Sequence, residues 1–136
     1  MTPAPIYVDS SVVLHSLLAS PARTAIREWL AVESSRLVSS RLLMTEVVRT
    51  MRRDGRALAP GMAILESIGL IEITSLVHDN AESIPVHVKS LDALHLGAAM
   101  LLGRDTVIAS HDRQMLDAAA QLGFPTVDPV VAAVGA

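Results

Sequence analysis

Ile6-Tyr7-Val8-Asp9-Ser10-Ser11-Val12-Val13-Leu14 is the stretch from which the rest of the chain is read. Its β-branched and aromatic opening predicts a short buried strand. An aspartate, two small hydroxyl residues and an apolar segment then predict a tight turn into a helix, which Ser10 or Ser11 can cap. In open α/β sheets the carboxyl ends of the strands face the ligand crevice. Asp9 is therefore a carboxylate delivered either to a site or to a turn, since an aspartate serves a tight turn equally well.

Working outward, helical and extended patterns alternate. Val12–Leu18 reads as a short helix, and Ser20-Pro21 as an N-cap with proline at the first helical position. The next helix has its apolar positions at Ala22, Ile26, Trp29 and Leu30. Arg36–Ser39 is a short strand. Ser40 caps a helix over Arg41–Arg53 whose buried stripe is Met44, Val47, Val48 and Met51. A further helix over Leu58–Ile68 is interrupted at Pro60-Gly61, and Leu70–Thr74 alternates as a strand. Val77–Val88 reads as a short helix and a loop. Ser90 caps a helix to Leu102, with Gly103 as its stop. Thr106–Ser110 is a strand, Arg113–Leu122 a helix, and Phe124–Val127 a last strand before an apolar tail. With no repeat, linker or low-complexity segment, residues 1–136 are expected to form a single α/β domain. Its mostly parallel sheet is expected to be covered on both faces.

Hydrophobic residues make up 51% of the 136 and charged residues 18%, and the aromatics are Tyr7, Trp29 and Phe124, so the core must be aliphatic. No apolar run approaches the roughly 20 residues of a membrane span. The first residues lack the basic start of a signal peptide, which makes a cytoplasmic protein with no membrane partner the expectation. Cysteine is absent, which excludes disulfides and thiolate metal sites. The net charge of −3 speaks against nucleic acid until the charges are placed. If four carboxylates are committed to a metal, the remainder carries +1, and Arg49, Arg52, Arg53 and Arg56 cluster in one segment.

Three aspartates stand out. Asp9 ends a strand. Asp112 repeats its geometry, with a β-rich strand, a hydroxyl residue, a carboxylate and a helix, although an N-cap alone explains it. Two parallel strands ending this way put both carboxylates at one edge of the sheet. Asp92 begins the segment Leu91–Leu102, which is apolar on nearly every face. The helix dipole favours an aspartate there by about 0.3–1 kcal/mol, but a buried carboxylate needs a partner or a metal. His95, three residues on, reads as a hydrogen-bonded core histidine rather than a ligand. Glu46 lies off the buried stripe of its helix, and a surface ion pair with Arg49 accounts for it. Four carboxylates can hold one or two Mg²⁺ or Mn²⁺ ions, which prefer oxygen ligands. Two such ions roughly 3.5–4 Å apart promote phosphodiester hydrolysis. The crowding of like charges predicts a raised pKa for at least one carboxyl when metal is absent. There is no G-x-G-x-x-G, P-loop or nucleophile elbow.

The chain resembles a PIN domain, and more narrowly a VapC-type toxin of VapBC toxin–antitoxin systems, over nearly its whole length. Tyr7-Val8-Asp9-Ser10-Ser11 resembles the first acidic motif of that family, and Thr45-Glu46-Val47-Val48-Arg49 the second. Ser90-Leu91-Asp92-Ala93-Leu94-His95-Leu96 is the most specific match, and Ser110-His111-Asp112-Arg113 resembles the fourth motif. The resemblance implies a Rossmann-like, three-layer PIN fold with five mostly parallel strands. It also implies an acidic pocket for Mg²⁺ or Mn²⁺, endoribonuclease activity on RNA, homodimerisation and inhibition by a VapB-type antitoxin. Asp9, Glu46, Asp92 and Asp112 would form the catalytic metal pocket, Ser11 and Ser110 would support it from behind, and Arg49 and Arg113 are candidate RNA contacts. Lys89, Ser10 and Ser110 depart from the residues most frequent in the family while keeping charge or hydroxyl character.

Other functions fit less well. A structure-specific DNA nuclease with a PIN-like site would need extra helical elements to clamp DNA. A phosphorylated receiver domain expects a late lysine, and Lys89, the single lysine, precedes a helix. Haloacid-dehalogenase-type phosphotransfer wants an aspartate where Ser11 stands. A non-catalytic RNA-binding module would show tight, metal-independent binding without cleavage.

Overall fold

The computed structural model describes residues 3–131. Its strands are β1 (Ile6–Val8), β2 (Leu37–Ser40), β3 (Gly69–Ile71), β4 (Val107–Ala109) and β5 (Thr126–Val127). Its helices are α1 (Ser10–Leu17), α2 (Arg23–Val32), α3 (Arg41–Arg53), α4 (Ala59–Leu65), α5 (Ser75–Glu82), α6 (Ser90–Met100) and α7 (Arg113–Gln121). The strands form one sheet in the order β3-β2-β1-β4-β5, and every pairing is parallel. The predicted α/β class and five-stranded parallel sheet are therefore observed. The apolar tail lies, from residue 132 onward, outside the described residues.

Successive strand residues point to opposite faces, and β1 shows what each face must hold. Ile6 and Val8 enter a core shared with Leu37, Ala109 and the apolar sides of α1–α4. Tyr7 enters the other core with Ile108, Leu96, Met115 and the small residues of α6 and α7. All three β1 residues are buried because helices cover both faces. Within the second core α5 and α6 approach unusually closely. A Cβ added to Gly97 would stand 2.6 Å from the Val77 carbonyl oxygen, and Asn80 donates to the Gly97 carbonyl at 3.1 Å.

Several local expectations change for identifiable reasons. α1 starts at Ser10 because Asp9 itself is the N-cap, its side chain accepting from Ser11 N, so neither serine performs that role. Lys89, not Ser90, occupies the N-cap position of α6, which places Asp92 in the first turn. Ser20 accepts from Ala22 N in the turn that precedes α2. Ser40 does occupy the N-cap of α3, but its hydroxyl makes no capping bond. Pro60 does not interrupt α4. It stands in the first turn, where its missing N–H is not needed. β3 stops at Ile71 because its partner Ser40 is the last residue of β2, leaving Ile73 nothing to pair with. No helix of the described residues is long and apolar enough to cross a membrane.

Candidate active site

β1 and β4 are neighbours, so the turns that leave their carboxyl ends lie side by side. The β1–α1 turn carries Asp9, and the β4–α7 turn carries Ser110, His111 and Asp112. Asp9 is 4% exposed and is held on both carboxylate oxygens. Oδ1 accepts from Ser11 Oγ at 2.5 Å and Ser11 N at 3.1 Å, while Oδ2 accepts from Ser110 Oγ at 2.6 Å. Each serine is itself fixed by a backbone amide of the β4–α7 turn. Ser11 Oγ accepts from His111 N at 2.8 Å, and Ser110 Oγ accepts from Asp112 N at 2.9 Å. His111 is anchored in turn by Asp128 at 2.9 Å and packs edge-on against His15. The serines therefore clamp the two turns together around one carboxylate. Burial pushes the Asp9 carboxyl above its ordinary pKa, and the Ser11 and Ser110 bonds partly oppose that rise.

Asp112 repeats the arrangement of Asp9 as an N-cap, with Oδ1 accepting from Gln114 N at 2.9 Å. Asp92 is half-buried in the first turn of α6, and among the described residues no side chain or backbone N–H donates to it. Its pKa is raised first by burial and then by the charges of Asp112, Asp9 and Glu46, while His95 opposes them. These dependences place all four carboxylates in one electrostatic neighbourhood.

Glu46 is not the surface partner of Arg49. It projects from α3 to His95, with Oε1 2.6 Å from Nε2, and its Oε2 accepts from Ser10 at 3.3 Å. His95 is the hydrogen-bonded core histidine its context predicts, with Nδ1 2.7 Å from the Tyr7 hydroxyl. Spacing alone does not reveal the Tyr7–His95–Glu46 chain, because its members come from β1, α6 and α3. The one local signal was a histidine inside an otherwise apolar helix.

Glu46 also lines a groove of about 380 Å³ together with Arg49, Arg53, Thr45, Thr50, Leu42 and Leu91. A larger groove, about 580 Å³ between α2 and α4, contains none of the four carboxylates. Arg113 stands apart as an exposed residue paired with Asp117 at 3.4 Å. Among the described residues, no three carboxylate or imidazole groups already stand close enough to close on a single ion. The site is a group of carboxylates at the carboxyl edge of the sheet, with serines behind Asp9 and, beside Glu46, a groove lined by arginines of α3.

Comparison with known proteins places the fold in a family. Residues 6–121 match the PIN domain family model. Ribonuclease VapC47 of Mycobacterium tuberculosis (strain CDC 1551 / Oshkosh) is 31% identical, the match covering 91% of this chain and 96% of the relative. Ribonuclease VapC46 of M. tuberculosis (strain ATCC 25618 / H37Rv) is 34% identical, covering 93% and 98% respectively. A solved toxin–antitoxin complex from Klebsiella pneumoniae contains a chain of the same fold, with a TM-score of 0.67 at 14% identity, covering 93% of this chain and 98% of that one. With three aspartates at the carboxyl edge of the sheet or the head of α6, and a helical glutamate beside them, the chain belongs to the PIN domain family and is of the VapC type.

Proposed function

We propose that this chain is a divalent-cation-dependent endoribonuclease, the toxin of a toxin–antitoxin pair, and that it hydrolyses RNA phosphodiester bonds at the acidic pocket. Asp92 carries the cation reading. A half-buried carboxylate with no hydrogen-bond donor, its pKa pushed upward first by burial and then by three neighbouring carboxylates, is costly unless a cation joins it. The donor set is all oxygen, which suits Mg²⁺ or Mn²⁺. Such an ion can take one or two carboxylates directly and keep several waters, through which the remaining carboxylates would reach it. Asp9, Glu46, Asp92 and Asp112 would hold it. When bound, such a cation lowers the pKa of water and offsets charge on a departing oxygen.

The chain's own residues do the rest. Ser11 and Ser110 fix both oxygens of Asp9 and so set the orientation in which the carboxylate would meet a cation. The groove beyond Glu46 offers Arg49 and Arg53 to the RNA backbone, with Leu42 and Leu91 as apolar surface for a base. Arg113, exposed and paired with Asp117, is a peripheral contact. The ribonuclease names of the mycobacterial relatives support RNA as substrate, and the toxin–antitoxin title of the structural neighbour supports a small antitoxin partner. A homodimer of single-domain chains is part of this reading, to be checked by light scattering.

Incubating the purified protein with single-stranded RNA and with flapped DNA tests the proposal. RNA should be cut with Mn²⁺ or Mg²⁺ and left intact with EDTA or in Asp9→Asn and Asp92→Asn. Cleavage unchanged by EDTA or by either substitution would overturn the site, and preferential cutting of DNA would overturn the substrate.

A further inference from the structure

We infer that Tyr7 and His95 form a buried positioning device for Glu46, holding its carboxylate in the orientation that meets the divalent cation. This rests on the cation reading above. Nothing on α3 itself holds Glu46. Among the described residues Arg49 makes no ion pair with it, and its other contact, Ser10, is a long 3.3 Å bond. The firm contact comes from His95, which is 1% exposed and arises from α6, the helix that also carries Asp92. One helix thus supplies one acidic group and the orienting residue for a second.

The imidazole cannot turn freely. A carboxylate only accepts, so Nε2 donates to Glu46 Oε1 at 2.6 Å, while the Tyr7 hydroxyl occupies Nδ1 at 2.7 Å. A ring flip would put carbon where each nitrogen now bonds. Tyr7 is itself immobile, because it is fully buried in β1 with strands paired on both sides. The neighbours of the Tyr7 ring include Leu96, Ile108 and Met115. A phenol and an imidazole are costly in such surroundings unless both are bonded. The Ser39 and Ser40 hydroxyls also lie near the phenol, but neither reaches the imidazole, whose Nε2 bonds only the Glu46 carboxylate among the described residues. With Oε1 held firmly by His95 and Oε2 only by the long Ser10 bond, Oε2 is the oxygen left to join a cation.

The test is Mn²⁺ affinity, read from the EPR signal of free Mn²⁺, in the full-length protein with melts in EDTA as a folding control. His95→Leu should weaken binding roughly 10–100-fold, the usual effect of losing a partner behind a metal ligand. His95→Gln, whose amide N–H can reach the Nε2 position, should restore most of the affinity. Tyr7→Phe, which removes a single oxygen, should weaken binding by a smaller factor. In a Glu46→Gln background, His95→Leu should change affinity by less than about twofold, because the two residues act as one unit. Wild-type affinity in His95→Leu, or an equal loss in both backgrounds, would overturn the inference and leave His95 a packing residue. If His95→Leu does not fold, unchanged binding by Tyr7→Phe overturns it instead. Absence of Mn²⁺ binding by the wild type would overturn the cation reading and this inference with it.

Discussion

Ser110→Ala isolates the clamp around Asp9. The Ser110 hydroxyl is fully buried, donates to Asp9 Oδ2 at 2.6 Å and accepts from Asp112 N at 2.9 Å. Alanine removes a hydrogen bond to a carboxylate, about 1.5–3 kcal/mol, and strands a part-buried amide at about 1 kcal/mol. A total near 3 kcal/mol corresponds to roughly 10 °C in Tm for 136 residues at about 2.1 cal/mol/K per residue. The loss should depend on pH. Burial raises the Asp9 carboxyl above its ordinary 3.8, and the Ser110 bond holds it down, so removing that bond raises it further. A carboxyl with a raised folded pKa contributes stability below its unfolded pKa and loses it as pH climbs through the folded value. The deficit of Ser110→Ala should therefore be small near pH 4 and grow toward pH 8. Thermal melts in EDTA across that range are the assay. A deficit under about 1 kcal/mol at pH 8, or one that does not vary with pH, would refute the account.

Three further outcomes follow from other parts of the molecule. Asp92→Asn should make the metal-free protein more stable at pH 8 relative to wild type, because a carboxyl with a raised pKa is removed. The same variant should lose cleavage by more than about 100-fold, so chemical denaturation and RNA cleavage should move in opposite directions. Gly97→Ala should cost about 1–3 kcal/mol in urea unfolding, since its Cβ would strike the Val77 carbonyl at 2.6 Å. Arg49→Ala should weaken RNA binding, measured in Ca²⁺ to suppress cleavage. It should also lower the slope of log K against log salt by about 0.7, the share of one phosphate on a single strand.

What could be read from the sequence follows how local each feature is. Asp9 and Asp112 are each announced by the residues on either side of them, and Asp92 by the apolar helix it heads. Glu46 entered through family resemblance, because its partners lie 36 and 49 positions away in Ser10 and His95. The hydroxyl of Tyr7 could not be paired by inspection either, its partner being 88 positions distant. Caps are ambiguous in sequence where two candidate residues adjoin, as at Asp9-Ser10 and Lys89-Ser90. Asp9 outbids the serines after it because an ionised acceptor binds backbone N–H groups more strongly than a hydroxyl does. The end of β3 was set by where β2 stopped, which no alternation within Leu70–Thr74 could show.

The strand order also bears on synthesis of the chain. β1 emerges first and occupies the centre of the sheet, yet one of its two neighbours, β4, begins at Val107. Until then the Ile6–Val8 ribbon has β2 on one side and an open edge on the other. Such an unpaired apolar edge is a template for wrong pairing, and late parallel partners make folding slow. The bond that fixes Asp9 spans 101 positions. A chain truncated before β4 lacks Ser110 and Asp112, so the clamp on Asp9 closes only once β4 has emerged. The interval before then is when the growing polypeptide is most exposed to aggregation.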